Sequence, residues 1–66
     1  MKIHINGDPQ DFADLKSLAD LVAALGLEPR MILIEHNGHA TRRADWGGIP
    51  VADNDRVEIL QVAAGG

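Results

Sequence analysis

The chain has no cysteine, and among its 66 residues only one phenylalanine, one tryptophan and three prolines. Without cysteine, neither a disulfide nor a thiolate zinc site can supplement the core of a domain this small. With so few aromatic residues, the 45% hydrophobic content must build that core from Leu, Ile, Val and Ala. No apolar run approaches membrane-spanning length. The first residues alternate apolar and polar side chains instead of forming a signal-peptide h-region, so the cytoplasm is the expected compartment. Cations are also in short supply: six Lys and Arg against ten Asp and Glu give a formal charge of −4. Phosphate backbones would repel such a balance, which argues against nucleic-acid binding. A chain near the lower size limit for a single core can scarcely also wall off a substrate pocket. It is expected to be acted on by larger partners and not to be an enzyme itself.

Met1, Ile3 and Ile5 alternate with Lys2, His4 and Asn6, the period of a strand with one buried face. Asn6-Gly7-Asp8-Pro9 is a dense turn signal, and Gln10 to Ala13 reads as a returning strand with Phe12 inward. Ser17 and Asp20 form a short relative of the capping box. Leu18, Leu21, Val22 and Leu25 then fall at the i, i+3, i+4, i+7 spacing of one helical stripe, ended by Gly26 and Pro29. Met31 to His36 is the most strand-like run, and Asn37-Gly38 after it is the preferred pair for a type I′ hairpin turn, with His39 to Arg42 as a short return. Residues 44 to 51 read as irregular chain crossing the domain. Asp53-Asn54-Asp55 makes a turn, and Arg56 to Val62 forms the last strand. The order is β-β-α-β-β-β: an α+β fold with one helix on one face of a mixed sheet. It forms a single domain over residues 1–66, with 63–66 a flexible C-terminal tail.

That tail ends in Gly65-Gly66. A carboxylate that is to be activated by ATP must enter another protein's active site, and glycine, lacking Cβ, passes a narrow channel in almost any backbone conformation. Ala63 and Ala64 are small enough to extend the slim segment. At about 7% glycine usage two terminal glycines occur by chance in about one chain in two hundred, so the tail gains its weight from the domain it follows.

Fold order and tail together resemble the β-grasp sulfur carriers of the ubiquitin-like superfamily, and most closely the ThiS family of thiamin biosynthesis. The likeness is carried by Met1 to Gly7, Ser17 to Val22, Ile34 to Gly38, Arg43 to Trp46, Asp55 to Ile59 and Gly65-Gly66. Two departures are small: Ala64 stands where such tails often have a third glycine, and Asn54 where the turn usually has Gly. The resemblance implies that Gly66 is the site of covalent modification, with Gly65 and Ala64 recognised as tail. An E1-like adenylating enzyme (ThiF-like) would use ATP to make an acyl-adenylate there, and sulfur from a cysteine desulfurase would replace AMP to give a thiocarboxylate. A thiazole synthase (ThiG-like) would accept that sulfur. The chain itself would bind no cofactor. Sulfur delivery to another cofactor, as by a molybdopterin synthase small subunit, and ubiquitin-like protein modification are the alternative readings.

Strand parity defines a surface for such partners. With Ile3, Ile5, Ile32, Ile34, Val57 and Ile59 toward the helix, Leu33, Leu60 and Val62 fall on the open face beside the tail, rimmed by Glu35 and Glu58. Other eye-catching residues have plainer readings. His4, His36 and His39 read as turn and surface histidines and not as a metal site. Asp8, Asp11 and Asp14 read as a solvated acidic edge, Trp46 as packing, and Arg42-Arg43 as an exposed basic doublet.

Overall fold

The computed structural model describes residues 1–62. Strands β1 (Lys2–Ile5) and β2 (Asp8–Asp11) form a hairpin, followed by helix α1 (Leu18–Leu25), β3 (Ile32–His36), β4 (His39–Ala40) and β5 (Asp55–Gln61). The sheet order is β2-β1-β5-β3-β4, with β1 and β5 parallel and the other pairs antiparallel. This is the expected α+β arrangement.

Both hairpins close on Asn-Gly. Asn6 and Gly7 have φ of 50° and 88°, and Asn37 and Gly38 have φ of 50° and 85°. Two consecutive positive φ values define the type I′ turn, whose twist matches that of the flanking strands. The first turn is therefore tighter than the Asn6–Pro9 loop expected, and β2 begins at Asp8 and ends before Phe12. Pro9 lies within β2 opposite His4. Met1 and Phe12 exchange two backbone hydrogen bonds of 2.8 Å, so by alternation Pro9 occupies a non-hydrogen-bonded position. It directs its missing N–H outward, and β2 is an edge strand, where proline is tolerated. Phe12 is half-buried against the core, beyond the strand end.

Helix α1 starts as the sequence indicates. The Ser17 Oγ accepts from the Asp20 N–H at 3.3 Å, and the Asp20 carboxylate accepts from the Ser17 N–H at 3.2 Å and from Lys16 at 2.9 Å. Gly26, at φ 68°, closes the far end. Leu18, Leu21 and Val22 are buried against Ile3 and Ile5 of β1, Ile32 and Ile34 of β3, and Val57 and Ile59 of β5. Trp46 and Val51 complete this core.

The crossing segment is more ordered than expected. Arg43–Gly48 forms a 3₁₀ helix that buries Trp46. The indole Nε1–H donates to the Thr41 Oγ1 at 2.9 Å, and that hydroxyl donates to the Ile34 carbonyl at 2.8 Å. Trp46 thus has the hydrogen-bond partner a buried indole requires. The segment then ties to the helix start through Leu18 N–H to Ile49 O at 2.9 Å and Val51 N–H to Lys16 O at 3.3 Å. A second 3₁₀ turn, Pro29–Met31, takes Met31 out of β3, and β4 has only two residues.

Beyond the end of β1, the side-chain amide of Asn6 continues the ladder. Its Oδ1 accepts from the Ile59 N–H at 2.7 Å and its Nδ2 donates to the Ile59 carbonyl at 3.1 Å, while the Asn6 N–H donates to the Val57 carbonyl at 2.9 Å. Asn6→Gly keeps the backbone conformation but removes this amide. We expect it to lower stability by about 1–3 kcal/mol, because two backbone groups of β5 lose their partners. Urea denaturation measures this, and an unchanged midpoint would show that the amide contributes nothing.

Candidate functional site

The open face carries the residues that parity assigns to it. Leu33 and Leu60 are directly paired across β3 and β5 and are 58% and 61% exposed, although both belong to residue types usually buried. Val62, 38% exposed, continues the line after β5, its N–H donating to the Met31 carbonyl at 2.8 Å. Glu35 and Glu58 form the next directly opposed pair, both exposed. Further along lie Arg56 on β5 and, beside it, His4 and Lys2 on β1. The face therefore grades from an apolar end, where the chain leaves for residue 63, through two acids to a basic end. Leu33, Leu60, Val62 and Glu58, the surface residues expected from the sequence, come together on one face. Ala64, Gly65 and Gly66 lie outside the described residues.

At the opposite end of β5 a polar cluster fixes where the strand begins. The Asp55 carboxylate accepts from the Ala52 N–H at 2.8 Å and the Asn37 Nδ2 at 3.1 Å, and lies 2.7 Å from the His36 Nε2. The Asn37 Oδ1 accepts from the Arg56 N–H at 2.8 Å. Burial pushes the Asp55 carboxyl up. The hydrogen bonds from His36, Ala52 and Asn37 and the charge of His36 outweigh that, and hold it below its ordinary value. His36 is thus a structural partner of Asp55 and not a loose turn histidine, which residue type alone did not reveal. His39 pairs with His36 across the hairpin, whereas His4 lies on the open face. Among the described residues no group of three His, Cys, Asp or Glu could hold a metal ion. A broad surface hollow of about 580 Å³ lies beside this cluster, lined by His36, Asn37, His39, Arg42 and Asp45, far from the end of β5 that leads to the tail.

One helix packed on a mixed five-stranded sheet, with the last strand central and parallel to the first, defines a ubiquitin-like β-grasp protein. The ThiS family profile matches residues 3–66, and the chain belongs to that family. The crystal structure of a thiamine biosynthesis protein (ThiS) from Geobacter metallireducens superposes with a TM-score of 0.83 at 29% identity, each chain covered in full. Two curated relatives are thiazole synthases. That of Magnetococcus marinus is 30% identical over 66 residues, and that of Paramagnetospirillum magneticum 29%. The chain is covered completely in both matches but spans only 20% of each relative's length. No helix among the described residues is long and apolar enough to cross a membrane.

The sign of the Asp55 effect gives a pH test. A carboxyl held below its unfolded value contributes stability above about pH 4, and that contribution is lost as pH falls through the folded value. Asp55→Asn should lower stability at neutral pH by about 1–3 kcal/mol and flatten the acid limb of the stability profile. Urea midpoints measured from neutral pH down into the acid range check both effects. A variant with the parent's acid limb would contradict this role of Asp55.

Proposed function

We propose that this chain is a sulfur carrier for thiazole formation in thiamin biosynthesis, loaded at the carboxylate of Gly66. What carries this reading is the reach of the ThiS family match to Gly66, at the end of a segment that follows β5 with its exposed Leu60 and, just past the strand, Val62. The two thiazole synthase relatives favour the thiazole branch over delivery to another cofactor or protein modification, because the whole of this chain aligns within each of them. A carrier and the synthase that consumes its sulfur are expected to meet, and covalent continuity is one way to hold them together.

In the proposed reaction an E1-like adenylating enzyme binds ATP and the tail. A Gly66 carboxylate oxygen attacks the α-phosphorus, pyrophosphate leaves, and an acyl-adenylate results. The carboxylate, a poor electrophile, has become a good one. The terminal sulfur of a persulfide, formed by a cysteine desulfurase, then displaces AMP. A thiol then attacks the inner sulfur of the resulting acyl disulfide and forms a new disulfide with it, and the outer sulfur leaves on Gly66 as the thiocarboxylate. Glycine at 65 and 66 and alanine at 64 keep the entering segment narrow. The chain contributes no catalytic side chain and binds no cofactor of its own in this scheme. It contributes a terminus and a docking surface: Leu33, Leu60 and Val62 form the apolar centre, with Glu58 and Glu35 as the polar rim.

With the cognate adenylating enzyme, the carrier should support exchange of labelled pyrophosphate into ATP. One alanine appended after Gly66 should abolish exchange without altering the urea midpoint. Leu60→Asp should raise the carrier concentration needed for half-maximal exchange by about tenfold or more, as expected for a central interface side chain. Its stability should fall by no more than about 1–2 kcal/mol, from lower strand propensity and the lost Leu33 pair, so urea denaturation should still show a folded chain. Undiminished exchange with the extended chain would overturn Gly66 as the site.

A further inference from the structure

Two like charges stand opposed on the open face. Glu35 and Glu58 are paired in register across β3 and β5, an arrangement that weakens a sheet unless a cation intervenes. Among the described residues the ion pairs are Arg30 with Glu28 and His36 with Asp55, and neither open-face glutamate takes part in one. Arg56, on the same face of β5, lies two residues back along the strand. Between the acids and the exposed leucines lies a cleft of about 150 Å³, lined by Leu33, Glu35, Ala40, Thr41, Glu58 and Leu60. Ala40 faces Glu35 across the β3–β4 pair, and its side chain is too short to fill that space. The Thr41 hydroxyl is already engaged by the Ile34 carbonyl and the Trp46 indole. The cleft therefore offers an apolar wall and two carboxylates that accept no side-chain hydrogen bond or ion pair from the described residues.

We propose that the adenylating enzyme that takes up this face inserts an arginine into the cleft, its stem against Leu33 and Leu60 and its guanidinium between Glu35 and Glu58. The inference rests on the docking role given above to the open face and adds the chemistry of its central contact. Directly opposed residues at a hydrogen-bonded position are about 5.5 Å apart at Cα, which lets both carboxylates converge on one group. A guanidinium has five N–H donors in a planar fork and can engage two carboxylates at once. An ammonium is a compact point charge and meets this geometry less well. The aliphatic stem of arginine also covers apolar surface that a partner must cover in any case. Repulsion between the acids is relieved only in the complex, so the pair adds specificity: a surface without the cation would bury two unpaired carboxylates.

Binding of the cognate adenylating enzyme, measured by calorimetry, tests this with four proteins: the parent chain, the double variant Glu35→Gln/Glu58→Gln, Ala40→Leu, and Leu60→Ser. The double variant should bind about tenfold or more weakly, and its affinity should depend less on salt than the parent's. Its urea midpoint should equal or exceed the parent's, which separates a binding effect from a folding one. Ala40→Leu should weaken binding with both acids intact, because it occupies the space meant for the arginine stem. If Leu60→Ser weakens binding while the double variant and Ala40→Leu bind as the parent does, the arginine is overturned and the docking face stands. If Leu60→Ser also binds unchanged, the docking face falls with it.

Discussion

The last strand in the chain is the central strand of the sheet, and most of the structure depends on its insertion between β1 and β3. β5 pairs parallel to β1 on one side and antiparallel to β3 on the other. Its buried Val57 and Ile59 lie between Ile3 and Ile5 of β1 and Ile32 and Ile34 of β3 in the core under α1. Two asparagine side chains help hold the strand. Asn6 hydrogen-bonds both backbone groups of Ile59, and Asn37 bonds the Arg56 N–H and the Asp55 carboxylate. Each belongs to an Asn-Gly turn, so one dipeptide reverses the chain and also supplies an amide to the neighbouring strand. In a domain of this size, a core rarely supplies more than about 3–5 kcal/mol. Truncating a fully buried residue such as Ile3 or Leu21, at about 2–5 kcal/mol, would remove most of it.

The same strand connects stability to function. Its odd positions, Val57 and Ile59, are buried in the core, while Glu58 and Leu60 stand on the open face. Its end leads directly to residues 63–66. Fixing the start of β5 through Asp55, His36 and Asn37 fixes the register with β3. That register sets Leu33 opposite Leu60 and Glu35 opposite Glu58. A slip of β5 by one residue would turn Glu58 and Leu60 into the core and Val57 and Ile59 outward. The docking surface is thus a consequence of register, and it is built on strands and not on loops.

Much of this was legible in the sequence because it follows from periodicity. The strand patterns of Met1 to Asn6, Met31 to His36 and Arg56 to Val62 pointed to three strands and their inward residues, within a residue or so of the observed ends. The helical stripe from Leu18 to Leu25, with Ser17 and Gly26 at its ends, gave the helix. Boundaries were less legible where tertiary contacts decide them. Pro9 reads as a turn residue, yet it sits in β2 because an edge strand has an outward position for it. Residues 43 to 48 lack an apolar period, and the 3₁₀ helix there is organised around one buried indole bonded to Thr41. The acidic pair and the Asp55–His36 contact depend on register between strands distant in sequence, which local pattern does not encode. The Gly65-Gly66 signal was plain in the sequence and falls outside the described residues.

The central claim is that Gly66 is loaded with sulfur, and the intact mass of the protein tests it most directly. After incubation with the cognate adenylating enzyme, ATP, a cysteine desulfurase and cysteine, the account predicts a mass gain equal to sulfur minus oxygen, confined to the C-terminal peptide. An unchanged mass, with an enzyme shown to be active on another carrier, or a gain located elsewhere in the chain, would contradict it.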